Sequence, residues 1–305
     1  ALRPTDEVKT TELTITDVNG KASTPMLLNS MSSHDKYPDE TVPLFVYSLG
    51  TNLWATVIHG GGPQYTWQGY LANVSTPATI PPVIDFGSTP RSVSRSTGTA
   101  VAQAAAVLNG TLFVTGYGEE WDQNTSNAVY LVVGRYDATT LAVKTPTNIP
   151  LSVNGVLPQM GYQRTPAITR FGSKVAIMWT EFTAASLNSM LLGYAVLSEN
   201  GESVVAPNAV PTKMIPKALV AAPSGAALLI ASRVDTTSST ATHTLVAQRL
   251  DASLNFVGTA YPINTPSENE PLDVQARSSA DGKQVLITFR QDYAQHRILH
   301  SELCQ

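Results

Sequence analysis

"RTPAITRFGSKVAIMWTEF", residues Arg164 to Phe182, reads as an apolar strand, a bend at Gly172 and a second apolar strand closing on Trp179 and Glu181. The pattern returns along the chain. "VPLFVYSLGTNLWATVIHG" bends at Gly50, "VAQAAAVLNGTLFVTGYGEE" at Gly110, "PKALVAAPSGAALLIASRVD" at Gly225 and "LDVQARSSADGKQVLITFRQD" at Gly282. Asn-Gly and Asp-Gly, found at two of these bends, are strong hairpin signals because both central residues of the turn need positive φ. The glycines stand 60, 62, 53 and 57 residues apart. One unit is copied five times.

A second hairpin follows the first in each of the first four copies: "YTWQGYLANVSTPATI", "NAVYLVVGRYDATTLAV", "SMLLGYAVLSENGESVV" and "THTLVAQRLDASLNFVG". Two hairpins make a four-stranded antiparallel sheet, and a tandem row of such sheets closes as a ring. The runs "KVAIMW", "ALLIAS" and "QVLITF" are apolar without alternation, as expected of strands buried on both faces. The Ala-rich stretch before Gly110 is read as a strand of small residues crowding the axis.

These features predict an all-β chain, a five-bladed β-propeller with four-stranded antiparallel blades, six blades being the alternative. The expected blades cover 42–97, 98–160, 164–212, 214–267 and 270–305 of one domain spanning 1–305. N-terminal strands within 8–28, which turn at "DVNG", are expected to pair with the C-terminal strands and close the ring. The chain resembles the β-propeller superfamily, and "LNGTLFVTGYGEEW…VYLVVGRYDATTLAV" is similar to a kelch-type unit without its double glycine. That resemblance implies a fold and carries no catalytic residues with it.

Composition narrows the function. The 305 residues carry a net charge of −4, a sequence pI near 5.7 and only 14% charged residues. Nucleic-acid binders present a basic stripe, so that class is excluded as an expectation. No apolar run reaches the roughly 18–20 residues of a membrane-spanning helix. The single cysteine, Cys304, cannot form an internal disulfide and is a possible link to a partner chain. A start at Ala1 without a secretory leader suggests a processed chain that is secreted or displayed at a cell surface. Sequons at Asn73, Asn109 and Asn124 are glycosylation candidates, although chance alone gives about that number.

Several motifs lead nowhere. "HGGG" from His59 has no nucleophile elbow to serve. His296 and His300 share a strand face without a third ligand, and Asp17–Gly20 lacks the remainder of a calcium loop. No cofactor or metal is expected.

One constellation remains. The second strand of each unit ends on a polar residue, in turn His59, Glu119 with Glu120, Glu181, Arg233 with Asp235, and Arg290 with Asp292. With Trp121 and Trp67 nearby for stacking, His59, Glu119, Trp121, Glu181, Arg233 and Arg290 form the expected ligand ring at the funnel mouth. The expected role is non-catalytic recognition of a glycan or glycoprotein in adhesion. A glycan-processing hydrolase in the same funnel is the alternative, and a structural subunit of a surface assembly is the second. Five-bladed glycosidases carry carboxylates on successive innermost strands. In this chain those strands begin with Asp39 and Glu40, Gly98 and Thr99, Arg164, Lys213 and Lys217, then Glu270 and Asp273, so acids come from two units only.

Overall fold

The computed structural model describes residues 8–13, 26–32, 40–49, 52–60, 68–73, 83–84, 101–122, 125–140, 142–146, 149–151, 166–183, 187–222, 225–238, 240–279, 283–292 and 295–302, with side chains in part of these. Among the described residues the regular structure is strand apart from one 3₁₀ turn at Leu187–Ser189. An N-terminal hairpin pairs β1 (Val8–Leu13) with β2 (Met26–Ser32). The first blade holds β3 (Glu40–Leu49), β4 (Asn52–Gly60), β5 (Gln68–Asn73) and β6 (Val83–Ile84). The second holds β7 (Val101–Leu108), β8 (Thr111–Asp122), β9 (Thr125–Asp137) and β10 (Ile149–Pro150). The third has β11 (Ala167–Phe171), β12 (Lys174–Phe182), β13 (Met190–Ser198) and β14 (Ser203–Pro211). The fourth has β15 (Met214–Ala221), β16 (Ala227–Asp235), β17 (Thr242–Leu250) and β18 (Phe256–Pro262). The fifth has β19 (Leu272–Ser278), β20 (Gln284–Asp292) and β21 (Gln295–Glu302).

Strands within a blade follow chain order and pair antiparallel. The first strand of each blade meets the first strand of the next: β3 beside β7, then β11, β15 and β19. These five are the innermost strands. The Ala-rich segment is strand β7, as expected, since small side chains let innermost strands approach one another.

The uninterrupted apolar runs resolve into two faces. On β12, Val175, Ile177 and Trp179 enter the core shared with the second blade, through Leu108, Phe113, Leu131 and Val133. The alternate residues Ala176 and Met178 enter the core shared with the fourth blade. On β16, Ala227, Leu229 and Ala231 face the third blade, while Leu228 and Ile230 meet Val285, Ile287 and Phe289 of the fifth. The third and fourth sheets are each the filling between two others. Full burial of such side chains stabilises by about 1.5–3 kcal/mol apiece.

The turns carry the predicted chemistry where they are described. Asn109 and Gly110 both adopt positive φ between the paired Leu108 and Thr111, a two-residue turn whose twist suits the flanking strands. Gly172 alone does so between Phe171 and Lys174. Gly50, Gly282 and the "DVNG" turn lie outside the described residues.

The ends differ from expectation. β1 pairs with β2 and lies beside β3, and the fifth sheet has three strands among the described residues. Six register pairs join its two strands, and the hairpin is a sheet of its own beside the first blade instead of an extension of the fifth.

Candidate active site

Every second strand runs from its glycine turn toward the end where its innermost strand begins. Thr41 pairs with His59, Val101 with Tyr117, Ala167 with Met178, Met214 with Arg233 and Leu272 with Arg290. All five polar termini therefore gather on one face of the disc. The described glycine turns, at Gly110, Gly172 and Gly225, lie at the opposite ends of their strands.

The predicted ring residues have different environments there. His59 sits in β4 opposite Thr41 and Gln68. Glu119 and Trp121 lie on β8 where it outruns β7: pairing with β9 continues past Tyr117 through Glu119↔Val129 and Glu120↔Ala128. They stand on a projecting two-stranded arm instead of a loop. Arg233 is exposed and Arg290 half-buried. Glu181 is only 1% exposed, and its Oε1 accepts a 2.6 Å hydrogen bond from Trp179 Nε1. A strand end facing water and one facing a neighbouring blade read alike in sequence.

A second feature belongs to the innermost strands. Their pairing slips between Pro43 and Phe45 in β3, Ala102 and Ala104 in β7, Pro216 and Ala218 in β15, and Leu272 and Gln275 in β19. An extra residue breaks the period-2 alternation and redirects a side chain. The extra residues are Leu44, Gln103, Lys217 and one of Asp273 and Val274, which together stand against Phe289, all in the half of the strand nearer the polar face. Prolines at positions 43 and 216 are the signal that sequence reading passed over, since Pro gives no ladder N–H and within sheets is confined to edges and bulges.

At the β15 bulge, Lys217 reaches into the next blade. Its Nζ stands 2.5 Å from Oε1 of Glu270, just before β19, and the side chains are 16% and 11% exposed. Nearby, Lys213 Nζ donates to Asn188 Oδ1 at 3.2 Å and to Thr236 Oγ1. Asp235 accepts from the Thr237 N–H at 2.9 Å, which lowers its pKa with Lys213 and Arg233 adding smaller contributions. The face thus mixes carboxylates and cations. Among the described residues no group of three or more His, Cys, Asp and Glu is placed to share a metal ion.

The remaining expectations divide. Asn73 ends β5 opposite Trp54, whereas Asn109 is exposed in its turn and donates Nδ2–H to Glu199 Oε2 at 2.7 Å. Trp67, Asn124 and Cys304 lie outside the described residues. No helix among the described residues is long and apolar enough to cross a membrane.

No family model matches the sequence, and no curated protein is similar to it at a significant level. Solved structures do share its shape. The α-L-arabinofuranosidase of Fusarium graminearum, solved with an iminosugar inhibitor, is 10% identical over 85% of this chain and 79% of its own, with a TM-score of 0.53. The endo-arabinase of Bacteroides thetaiotaomicron is 9% identical over 86% of this chain and 93% of its own, at a TM-score of 0.46. A puromycin-hydrolysing peptidase of Mycobacterium tuberculosis is 12% identical over 99% of this chain and 44% of its own, at 0.49.

The expectation of a non-catalytic recognition protein is corrected here. The Fusarium protein of like fold is a glycoside hydrolase, which favours the alternative reading over the principal one. The burial of Glu181 under an indole N–H also fits poorly with a rim of solvent-facing ligand donors. In fold, the chain is a five-bladed β-propeller.

Proposed function

We propose that this propeller is a glycan-processing hydrolase acting at the face where its innermost strands begin. One observation carries the reading: bulges in four innermost strands set Gln103, Lys217 and Asp273 in the half of the ring nearest that face, with Glu270 drawn in by Lys217. Glu40 opens β3 at the same face. Cleavage of a glycosidic bond needs one carboxylic acid to protonate the departing oxygen and a second carboxylate to activate water or attack carbon. Glu40, Glu270 and Asp273 are the acids this reading assigns to that work. The likeness to the Fusarium arabinofuranosidase supports it at the level of fold.

On this reading His59, Glu119, Trp121, Arg233 and Arg290 belong to the surroundings of the bound sugar, while Glu181, sealed beneath the Trp179 indole, supports the wall behind them. Asn109 lies in a turn on the opposite face, so a glycan there would leave the site open. Secretion or display at a cell surface, with glycans on Asn73, Asn109 or Asn124, completes the proposal, as does a cross-link through Cys304.

The test is an assay of the purified chain on aryl glycosides and on arabinan, xylan, mannan and galactan, reading released phenol or new reducing ends. Turnover on at least one substrate, lost in Glu270→Gln, is expected. Absence of release from the whole panel rejects the reading.

A further inference from the structure

We propose that Lys217 is a positioning residue that reaches across the blade boundary and holds the Glu270 carboxylate aimed at the bound sugar, so that Glu270 serves as the base for the attacking water. The inference rests on the hydrolase reading and adds a division of labour to it. Three observations lead there.

First, Lys217 is the extra residue of the β15 bulge, released from the alternation that sends its neighbours into the blade cores. Pro216, immediately before it, has no N–H to give to the ladder, which favours the bulge at this point. Second, the pair joins two blades: Nζ and Oε1 are 2.5 Å apart across 53 residues of sequence. Third, both side chains are largely buried, at 16% and 11% exposure. Removing two charges from water costs about as much as their attraction returns, and apolar residues at such positions are often as stable or more so. Packing gives little reason to keep this pair. A site that needs a fixed anion does.

Along the chain Glu270 stands between Glu268 and Asp273, and Arg290, on the neighbouring strand β20, pairs with Leu272. Lys213, ahead of β15, is engaged with Asn188 and Thr236. Lys217 Nζ donates a hydrogen bond to the Glu270 carboxylate. In the proposed step, water oxygen bonds to the anomeric carbon while the bond from that carbon to the glycosidic oxygen breaks. The water proton passes to Glu270, and a proton from the second carboxylic acid goes to the departing oxygen. Lys217 neither gains nor loses a proton.

The experiment compares the full chain with Lys217→Met, Lys217→Arg and Glu270→Gln on a cleaved substrate, with circular dichroism to show that each variant is folded. The expected result is a kcat lower by about tenfold in Lys217→Met with KM within about twofold, and a kcat in Lys217→Arg within about threefold of the parent, because a second cation can hold the carboxylate in place. A kcat unchanged in Lys217→Met overturns the proposal. So does a loss that falls on KM alone or that Lys217→Arg does not recover. Failure of the parent to cleave any substrate overturns the hydrolase reading instead, and the base role with it.

Discussion

Trp179 and Gly193 lie directly opposite one another on β12 and β13, and the indole covers the glycine so closely that a Cβ there would stand 2.2 Å from indole Cε2. Gly193 is buried, and Trp179 is wholly buried in the core between the second and third blades. The glycine is a packing choice, made to seat the indole.

Gly193→Ala is therefore expected to destabilise the chain by about 1–3 kcal/mol, the usual cost of overfilling a packed core. Urea unfolding followed by tryptophan fluorescence checks this. A midpoint equal to the parent's would mean that the indole has room to move.

The same indole anchors Glu181 through the 2.6 Å bond from Nε1 to Oε1. Glu181→Ala leaves that N–H buried without this acceptor and should cost about 1–3 kcal/mol, whereas Glu181→Gln keeps an acceptor and should cost less. Unfolding midpoints of the two variants, with a double-mutant cycle against Trp179→Phe, separate the bond from the packing. Equal losses in Ala and Gln variants would show that the acceptor does not matter.

Arg135 joins the second and third blades on the turn face. Its Nη1 donates to the Thr145 carbonyl at 2.8 Å, its Nη2 to the Glu199 carbonyl at 2.6 Å, and its guanidinium lies 5.8 Å from the centroid of Phe113. Arg135→Lys cannot reproduce the fork and should lose about 1.5–3 kcal/mol. Thermal unfolding reads the loss. A melting temperature unchanged from the parent's would refute the clamp.

Asp137 takes its shape from the turn after β9. Its Oδ1 accepts the Thr139 hydroxyl at 2.7 Å and the N–H groups of Thr139 and Thr140 at 2.9 Å. The Thr139 hydroxyl first, then the two backbone N–H groups, hold its pKa well below the ordinary carboxylate range. A depressed folded value means that the unfolded chain binds more protons below about pH 4. The contribution of Asp137 is complete above that point and fades as pH falls toward the folded value. Asp137→Asn should flatten the acid limb of stability between about pH 4 and 2, read from urea midpoints across that range. Asp251 accepts from Ser253 and Asn255 in the same manner and contributes with the same sign. An acid limb as steep as the parent's would remove Asp137 from the account.

Sequence and structure meet unevenly in this protein. The glycine bends and the unbroken apolar runs are local facts: positive φ at Asn109 and Gly110 is a property of the turn, and burial on both faces leaves no polar alternation along β12 or β16. Five blades follow from them. The candidate site depends on neighbours. Glu181 stands at the same end of its unit as Arg233, yet one is sealed beneath an indole and the other meets water. The two strands meet different blades.

What the sequence by itself determined is the repeated module, because turn chemistry and side-chain period act within a few residues. What only the tertiary structure decided is which charges meet. Lys217 and Glu270 belong to different modules, and they meet because one extra residue in β15 turns a lysine out of its strand's alternation while the packing of β15 beside β19 brings the next blade within reach.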